Sequence, residues 1–425
     1  MRRASSLVPC VLVALLLGVG RASADTPPGD GPEPPAATGA ELAEPAAQPV
    51  DAEAIHVFPG TFRFPSVPGF VRLGAYVETY GQWNPRNPWN GIDAYRAFDS
   101  RTDTFSLTNA CLSVDFDLAH VVGRVALQIG LGPSTYYESE PTHPAWGGVA
   151  ASGPEVWKYL QEAYAGYDFE GAHAPTVEAG IFLSPIGPES MSARANWNFS
   201  RSNLFFGLPF YHTGVRVSVP LVRDTKATFY VVNGWNSVVD NNLAKTLIGQ
   251  ISGMRGALAG SLLYVGGIER NQGDPAGMPW RNVVDAYATY HRTGSRFHLI
   301  AQANGGLEHN DFGRSYWAAT AVAARFDLHA KVYVALRGDF FYEHRAQNSQ
   351  GEASAIFWPS KYVSEGTLTL AYEPVQYVSF RLEYRHDQAA GPTYFDHTQV
   401  LDASGNPVLT SKAQDTLALA LLAGF

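Results

Sequence analysis

The stretch from Thr416 to Phe425 alternates almost without a break. Leu417, Leu419, Leu421, Ala423 and Phe425 fall on one parity, and Thr416, Ala418 and Ala420 on the other. Successive side chains of a strand point to opposite faces, so this pattern makes one face wholly apolar and the other small or polar. Leu422 is the one residue out of pattern. An exposed apolar strand is an aggregation hazard in water. In a closed transmembrane barrel the same strand is stable, because its apolar face meets lipid and its edge pairs with the first strand.

The opposite end carries an export pattern. Met1-Arg2-Arg3 is basic, Leu7 to Gly20 is apolar, and Ala22-Ser23-Ala24 is a small-x-small cleavage site. Residues 1–24 therefore read as a secretory signal peptide. Cleavage would remove Cys10 and leave Cys111 as the lone cysteine, excluding an internal disulfide and a cysteine-based zinc site. Residues 25–54, rich in Pro, Ala and acidic side chains, cannot bury a core. They read as a disordered periplasmic tether, with plain spacer as the simplest role. Residues 55–69 form a lead-in, either a plug or a small latch, and residues 70–425 form the barrel.

Composition agrees with this class. Charged residues make up 16% of the chain, against about 25% in soluble proteins. There are 41 Gly, 21 Tyr, 23 Phe and 9 Trp. Beyond the signal, nothing approaches the roughly 18 consecutive apolar residues of a membrane helix. The formal net charge of -9 argues against a nucleic-acid partner.

From Phe70 onward, alternating segments recur at about ten residues, the length of a tilted barrel strand. Between Lys331 and Glu343, Val332, Val334, Leu336, Phe340 and Tyr342 share one face, while Lys331, Tyr333, Arg337, Asp339 and Glu343 share the other. Between Tyr377 and Asp387, Val378, Phe380, Leu382 and Tyr384 alternate with Ser379, Arg381, Glu383, Arg385 and Asp387. From Arg124 to Leu131, the residues Val125, Leu127, Ile129 and Leu131 are expected to face outward. Faces this charged suit a watery lumen better than a sandwich core. Threading the whole chain gives an all-β, antiparallel, up-and-down transmembrane barrel of about 16 strands, with 14 as the alternative if a hairpin among the segments near Thr246, Ala257 and Asn282 is lost. Short connections alternate with mostly long ones, as periplasmic turns and external loops do.

Several motifs carry a family resemblance. They are Arg101-Thr102-Asp103-Thr104-Phe105-Ser106-Leu107, Gln161-Glu162-Ala163-Tyr164, Gly180-Ile181-Phe182, Pro185-Ile186-Gly187, Asn198-Phe199-Ser200-Arg201-Ser202 and Pro209 to Val215. Together they resemble the putative beta-barrel porin-2 family, also called OmpL-like, over most of the chain from about Phe70. The resemblance implies an outer-membrane porin and does not supply a substrate range.

The lumen candidates are Arg124, Arg337, Asp339, Glu343, Arg381, Glu383 and Arg385, either lining a pore or pairing across strands to stiffen the wall. The segment Pro185 to Phe210 is the third external loop. By analogy with general porins it would fold into the lumen, making Arg194, Arg201 and His212 constriction candidates. The alternative is that these residues clasp the loop to the wall. Phe425 is read as the barrel-closure signal. No metalloprotease helix, phosphate-cradling loop or nucleophile elbow is present, so no catalytic residue, metal or cofactor is assigned. Asp93, Asp99 and Asp103 match no calcium-loop spacing.

The expected function is passive diffusion of small hydrophilic solutes across the outer membrane of a Gram-negative-type bacterium. Outer-membrane lipids and the outer-membrane assembly machinery are the expected partners, and association into a homo-oligomer is left open. Two other classes compete: a structural or adhesive barrel with a blocked lumen, and a lipid-modifying barrel enzyme.

Overall fold

The computed structural model describes residues 61–64, 67–138, 140, 157–222, 224–354 and 356–425. The expected signal peptide, the tether and the start of the lead-in lie outside these residues.

Sixteen antiparallel strands close on themselves, with one short strand in front of them. That short strand, β1 (Thr61–Phe64), pairs with the lower part of β2 (Val67–Trp83), with Thr61 opposite Arg72. The wall continues through β3 (Thr104–Leu118), β4 (Val121–Ile129), β5 (Leu160–Asp168), β6 (Thr176–Leu183), β7 (Tyr211–Pro220) and β8 (Thr225–Val232). It then runs through β9 (Thr246–Arg255), β10 (Leu258–Ile268), β11 (Trp280–Tyr290), β12 (Phe297–Asn310) and β13 (Gly313–His329). The last four strands are β14 (Val332–His344), β15 (Tyr362–Val375), β16 (Val378–Ala389) and β17 (Ala413–Gly424). Each strand pairs with the next, and β17 closes the ring on β2, from Leu417 opposite Trp83 to Gly424 opposite Tyr76. Beyond β17, Phe425 and Ala75 exchange both backbone hydrogen bonds, at 2.9 and 3.0 Å. The strands near Thr246, Ala257 and Asn282 are all present, so the count is 16 rather than 14.

Side-chain register follows the alternation. On β14, Leu336 and Phe340 are exposed on the outer face while Arg337, Asp339 and Glu343 are buried inside. On β16, Phe380, Leu382 and Tyr384 face out and Arg381, Glu383, Arg385 and Asp387 face in. An arginine turned to lipid at mid-bilayer costs about 2–4 kcal/mol, which holds this register against a one-residue slip. One expectation fails at β4. The strand ends at Ile129, and Leu131 opens the helix α1 (Leu131–Glu138) in the second external loop instead of continuing the outer face. Gly130, at φ 144°, makes the break; a Cβ there would fall 2.5 Å from the Thr108 carbonyl oxygen. The sixth external connection is also not long: β12 and β13 are joined by Asp311 and Phe312 alone.

Candidate functional site

The third external loop, residues 184–210, lies inside the barrel and makes the site. It contains a 3-10 turn at Ala193–Ala195 and a short helix, α2 (Asn203–Gly207). Ser202 caps α2, its Oγ accepting the Phe205 N–H at 3.1 Å. An irregular segment like this has few internal partners for its backbone groups, and each one left bare in the lumen would cost free energy. The wall supplies the missing partners.

Carboxylates of the wall receive the loop's N–H groups. Glu383 accepts from Phe199 at 2.6 Å and Ser200 at 2.9 Å. Asp339 accepts the Asn203 N–H at 2.6 Å and its side-chain amide at 3.0 Å. Glu78 of β2 accepts the Ser192 hydroxyl at 2.7 Å and the Arg194 N–H at 3.3 Å. Asp285 of β11 accepts the Gly187 N–H at 3.3 Å and is itself held by Gln302 and Asn304. Guanidinium groups of the wall bind the loop's carbonyls in turn. Arg381 donates to Ala193 at 2.7 Å and Asn198 at 3.1 Å. Arg337 donates to the Ser200 carbonyl, and Arg385 to that of Arg201. Hydrogen bonds with a charged partner each contribute about 1.5–3 kcal/mol, so the lumen face is a docking surface for this loop.

Contacts between neighbouring wall residues complete the network. Arg337 pairs with Glu365 at 2.8 Å and with Glu189 of the loop at 3.0 Å. Arg385 pairs with Asp387, and Arg124, away from the loop, pairs with Asp115 at 2.6 Å and Glu162 at 2.8 Å. Glu343 receives the N–H groups of Ile356, Phe357 and Trp358, and so anchors the seventh external loop.

The other side of the third loop is apolar. Ile186, Leu204 and Leu208 pack with Tyr230, Val232, Ile248, Leu263, Val265 and Val283 of the wall and with Ala94, Trp358 and Tyr394 from other external loops. Lower down, Ala193 and Phe199 pack on Tyr80, Ala418, Ala420 and Leu422. Leu422, out of pattern in a lipid-facing strand, is an inward residue that meets the loop. Between the loop and β12–β14 a crevice remains, bounded by Glu189, Asn196, Trp197, Ile300, Gln302, Ala321, Ala323 and Arg337. Ala321 and Ala323 are the small residues on the wall side of this gap.

The three constriction candidates have different surroundings. Arg201 is buried, and its guanidinium donates to the loop's own carbonyls at Ser190 (3.1 Å), Phe199 (2.8 Å) and Met191 while stacking on Phe98. His212 is buried as well, its ring held between the Gly234 carbonyl at 2.9 Å and the Ser184 hydroxyl at 3.2 Å. Neither side chain has surface through which to meet a solute. Arg194 is half-buried, and among the described residues its guanidinium has no hydrogen-bonded partner. In the first loop, Asp93 is held by Gln82 and Asn84, and Asp99 by Arg96. Among the described residues no cluster of His, Cys, Asp and Glu could hold a metal ion. Glu78, Asp285, Tyr333 and Glu365 also belong to the site. Their inner parity was readable, but not that a loop lies on them.

The model of the putative beta-barrel porin-2, OmpL-like, family matches residues 71–425. The chain belongs to that family. Comparison with curated proteins finds no sequence match. Among solved structures, this porin-2 barrel is similar to the outer membrane channel DcaP of Acinetobacter baumannii, with 13% identity, a TM-score of 0.54, and 86% of this chain and 99% of that chain covered. It is also similar to OmpT of Vibrio cholerae, with 7% identity, a TM-score of 0.51, and 86% and 100% covered. A third likeness is OmpF of Salmonella typhi, solved with daunomycin, with 10% identity, a TM-score of 0.51, and 84% and 98% covered. At these identities the likeness is one of fold, that of an outer-membrane β-barrel.

Proposed function

We propose that this barrel is a passive diffusion channel of the outer membrane for small hydrophilic solutes, with the third loop as its narrowest element. The observation that carries the reading is the docked loop: a closed barrel of 16 strands, wide enough for an aqueous channel, is narrowed by one segment and keeps a crevice against β12–β14. Glu189, Gln302 and Arg337 place polar atoms in this narrow and otherwise mostly apolar crevice. Single-channel recording of the refolded protein in planar bilayers tests the proposal. Discrete, ohmic conductance steps in potassium chloride are expected, and their absence would remove the channel reading.

One observation favours a second reading, a barrel with a closed lumen. Aromatic residues of the external loops, Tyr95, Phe206, Phe357, Trp358 and Tyr394, gather with Trp317 and Phe341 over the outer half of the lumen. The same recording separates the two, because a closed lumen gives no steps in an inserted, folded protein.

A further inference from the structure

Next to Trp197, one of the residues that bound the crevice, three arginines lie around one tyrosine. Tyr333 lies near the start of β14, beside the short turns, and its hydroxyl donates to the Trp197 carbonyl at 3.0 Å. The tip of the third loop therefore reaches the short-turn end of the lumen. The Arg325 guanidinium sits 3.9 Å from the Tyr333 ring centroid, and that of Arg381 sits 6.0 Å from it. Arg194, at the loop tip, is close enough to Glu373 first, and then to Arg381, Glu78 and Tyr333, to interact with them electrostatically.

Acids lie near these guanidinium groups, but few are in contact with them. Arg325 pairs with Asp327 through Nε at 2.7 Å, and Asp327 also holds His298 at 3.1 Å. Neither terminal nitrogen of Arg325 has a hydrogen-bond partner among the described residues. Arg381 spends its donors on Ser379 and on loop carbonyls. Among the described residues no carboxylate oxygen lies within 4.0 Å of the Arg381 or Arg194 guanidinium. Glu373, Glu78 and Glu383 are the nearby acids; Glu383 and Glu78 are already bound to loop N–H groups, and Glu373 acts on Arg194 from beyond contact distance. Buried or half-buried cations without contact counter-ions favour a bound anion, and a free guanidinium fork matches the two oxygens of an oxyanion.

We propose that Arg194 and Arg325, with Arg381 and Tyr333 behind them, form an oxyanion site at the tip of the third loop, taking a small carboxylate or phosphate group. The site rests on the channel reading for its role in transport, but not for its binding chemistry. Loss of one charged hydrogen-bond donor should weaken binding about tenfold.

The test uses the full refolded protein. In planar bilayers the wild type should favour chloride over potassium, and millimolar acetate or inorganic phosphate should lower the chloride current. Which of the two acts at lower concentration identifies the oxyanion. Arg194→Gln and Arg325→Gln should each shift the reversal potential toward cations and weaken the block about tenfold. Arg194→Lys should keep the selectivity and lose most of the block, since it keeps the charge without the fork. Binding is read separately in detergent by the change in tryptophan fluorescence on adding acetate or phosphate, with Trp197→Phe as the control. A fluorescence response lost in Arg194→Gln, in protein that does not conduct, would sustain the site and sink the channel reading. Wild-type-like selectivity and block in both Gln variants, or no response to either anion, would overturn the site.

Discussion

Asp339 of the barrel wall caps Asn203 of the third loop, accepting its backbone N–H at 2.6 Å and its side-chain amide at 3.0 Å. The two residues are 136 positions apart in sequence. Replacing Asp339 with Ala leaves both donors without that partner in a buried place, at about 1–3 kcal/mol each. The same holds for Glu383→Ala under Phe199 and Ser200. Both variants should lower the urea midpoint of the folded barrel and give noisier channels with larger conductance. A quiet, wild-type trace in both would mean that the loop is held by its apolar side alone.

Arg201 should behave unlike Arg194. Its guanidinium ties three carbonyls of its own loop and has no exposed surface. Arg201→Ala is expected to raise the loop's sensitivity to protease without moving the reversal potential as far as Arg194→Gln does. Reversal potentials of the two variants in the same salt gradient compare them directly, and an equal shift would place Arg201 at the pore surface.

The outward register makes Leu336 a lipid contact. Leu336→Arg should destabilise the inserted barrel by about 2–4 kcal/mol if the residue lies near mid-bilayer. Equilibrium unfolding from lipid vesicles measures this, and a neutral outcome would place Leu336 off the lipid face.

Closure depends on the last residue. Phe425 and Ala75 exchange both backbone hydrogen bonds, and the Phe425 side chain lies on the outer face. Deleting Phe425 should reduce membrane insertion and the fraction of heat-modifiable protein on electrophoresis. Wild-type yield of inserted protein would remove its role as a closure signal.

The first loop should respond to pH. Burial pushes the Asp93 carboxyl up to about 6, against the opposing pull of Arg96 and the amides of Asn84 and Gln82. A carboxyl raised on folding stabilises the folded loop below its ordinary value of 3.8 and loses that contribution as pH rises through about 6. Hydrogen exchange of residues 84–103 should therefore be slower at pH 4 than at pH 7 after correction for intrinsic rates. Asp93→Asn should flatten the difference.

Alternation along each strand was enough to read the barrel. It set the outward face of Leu336 and Leu382, the inward face of Arg337 and Glu383, and the pairing of the last strand with the first. Period two is a local property, and lipid penalises any slip strongly. Local sequence also marked the third loop, through its Pro, Gly and Asn-Phe-Ser-Arg-Ser motifs. What it left open was whether the inward charges meet water, each other or a segment of chain. Inner parity says only that Glu78, Asp285, Glu383 and Arg381 avoid lipid. Their partners at Arg194, Gly187, Phe199 and Asn198 come from a loop whose path depends on contacts with strands 98 to 187 residues away. A long-range contact also explains Leu422, which breaks the alternation because it packs on Ala193 and Phe199. Only the tertiary structure separated Arg201, bound to its own loop's carbonyls and near Glu78, from Arg194, whose guanidinium has no hydrogen bond among the described residues. A side chain's type is written in the sequence, but its unused hydrogen-bonding capacity depends on what the fold places around it.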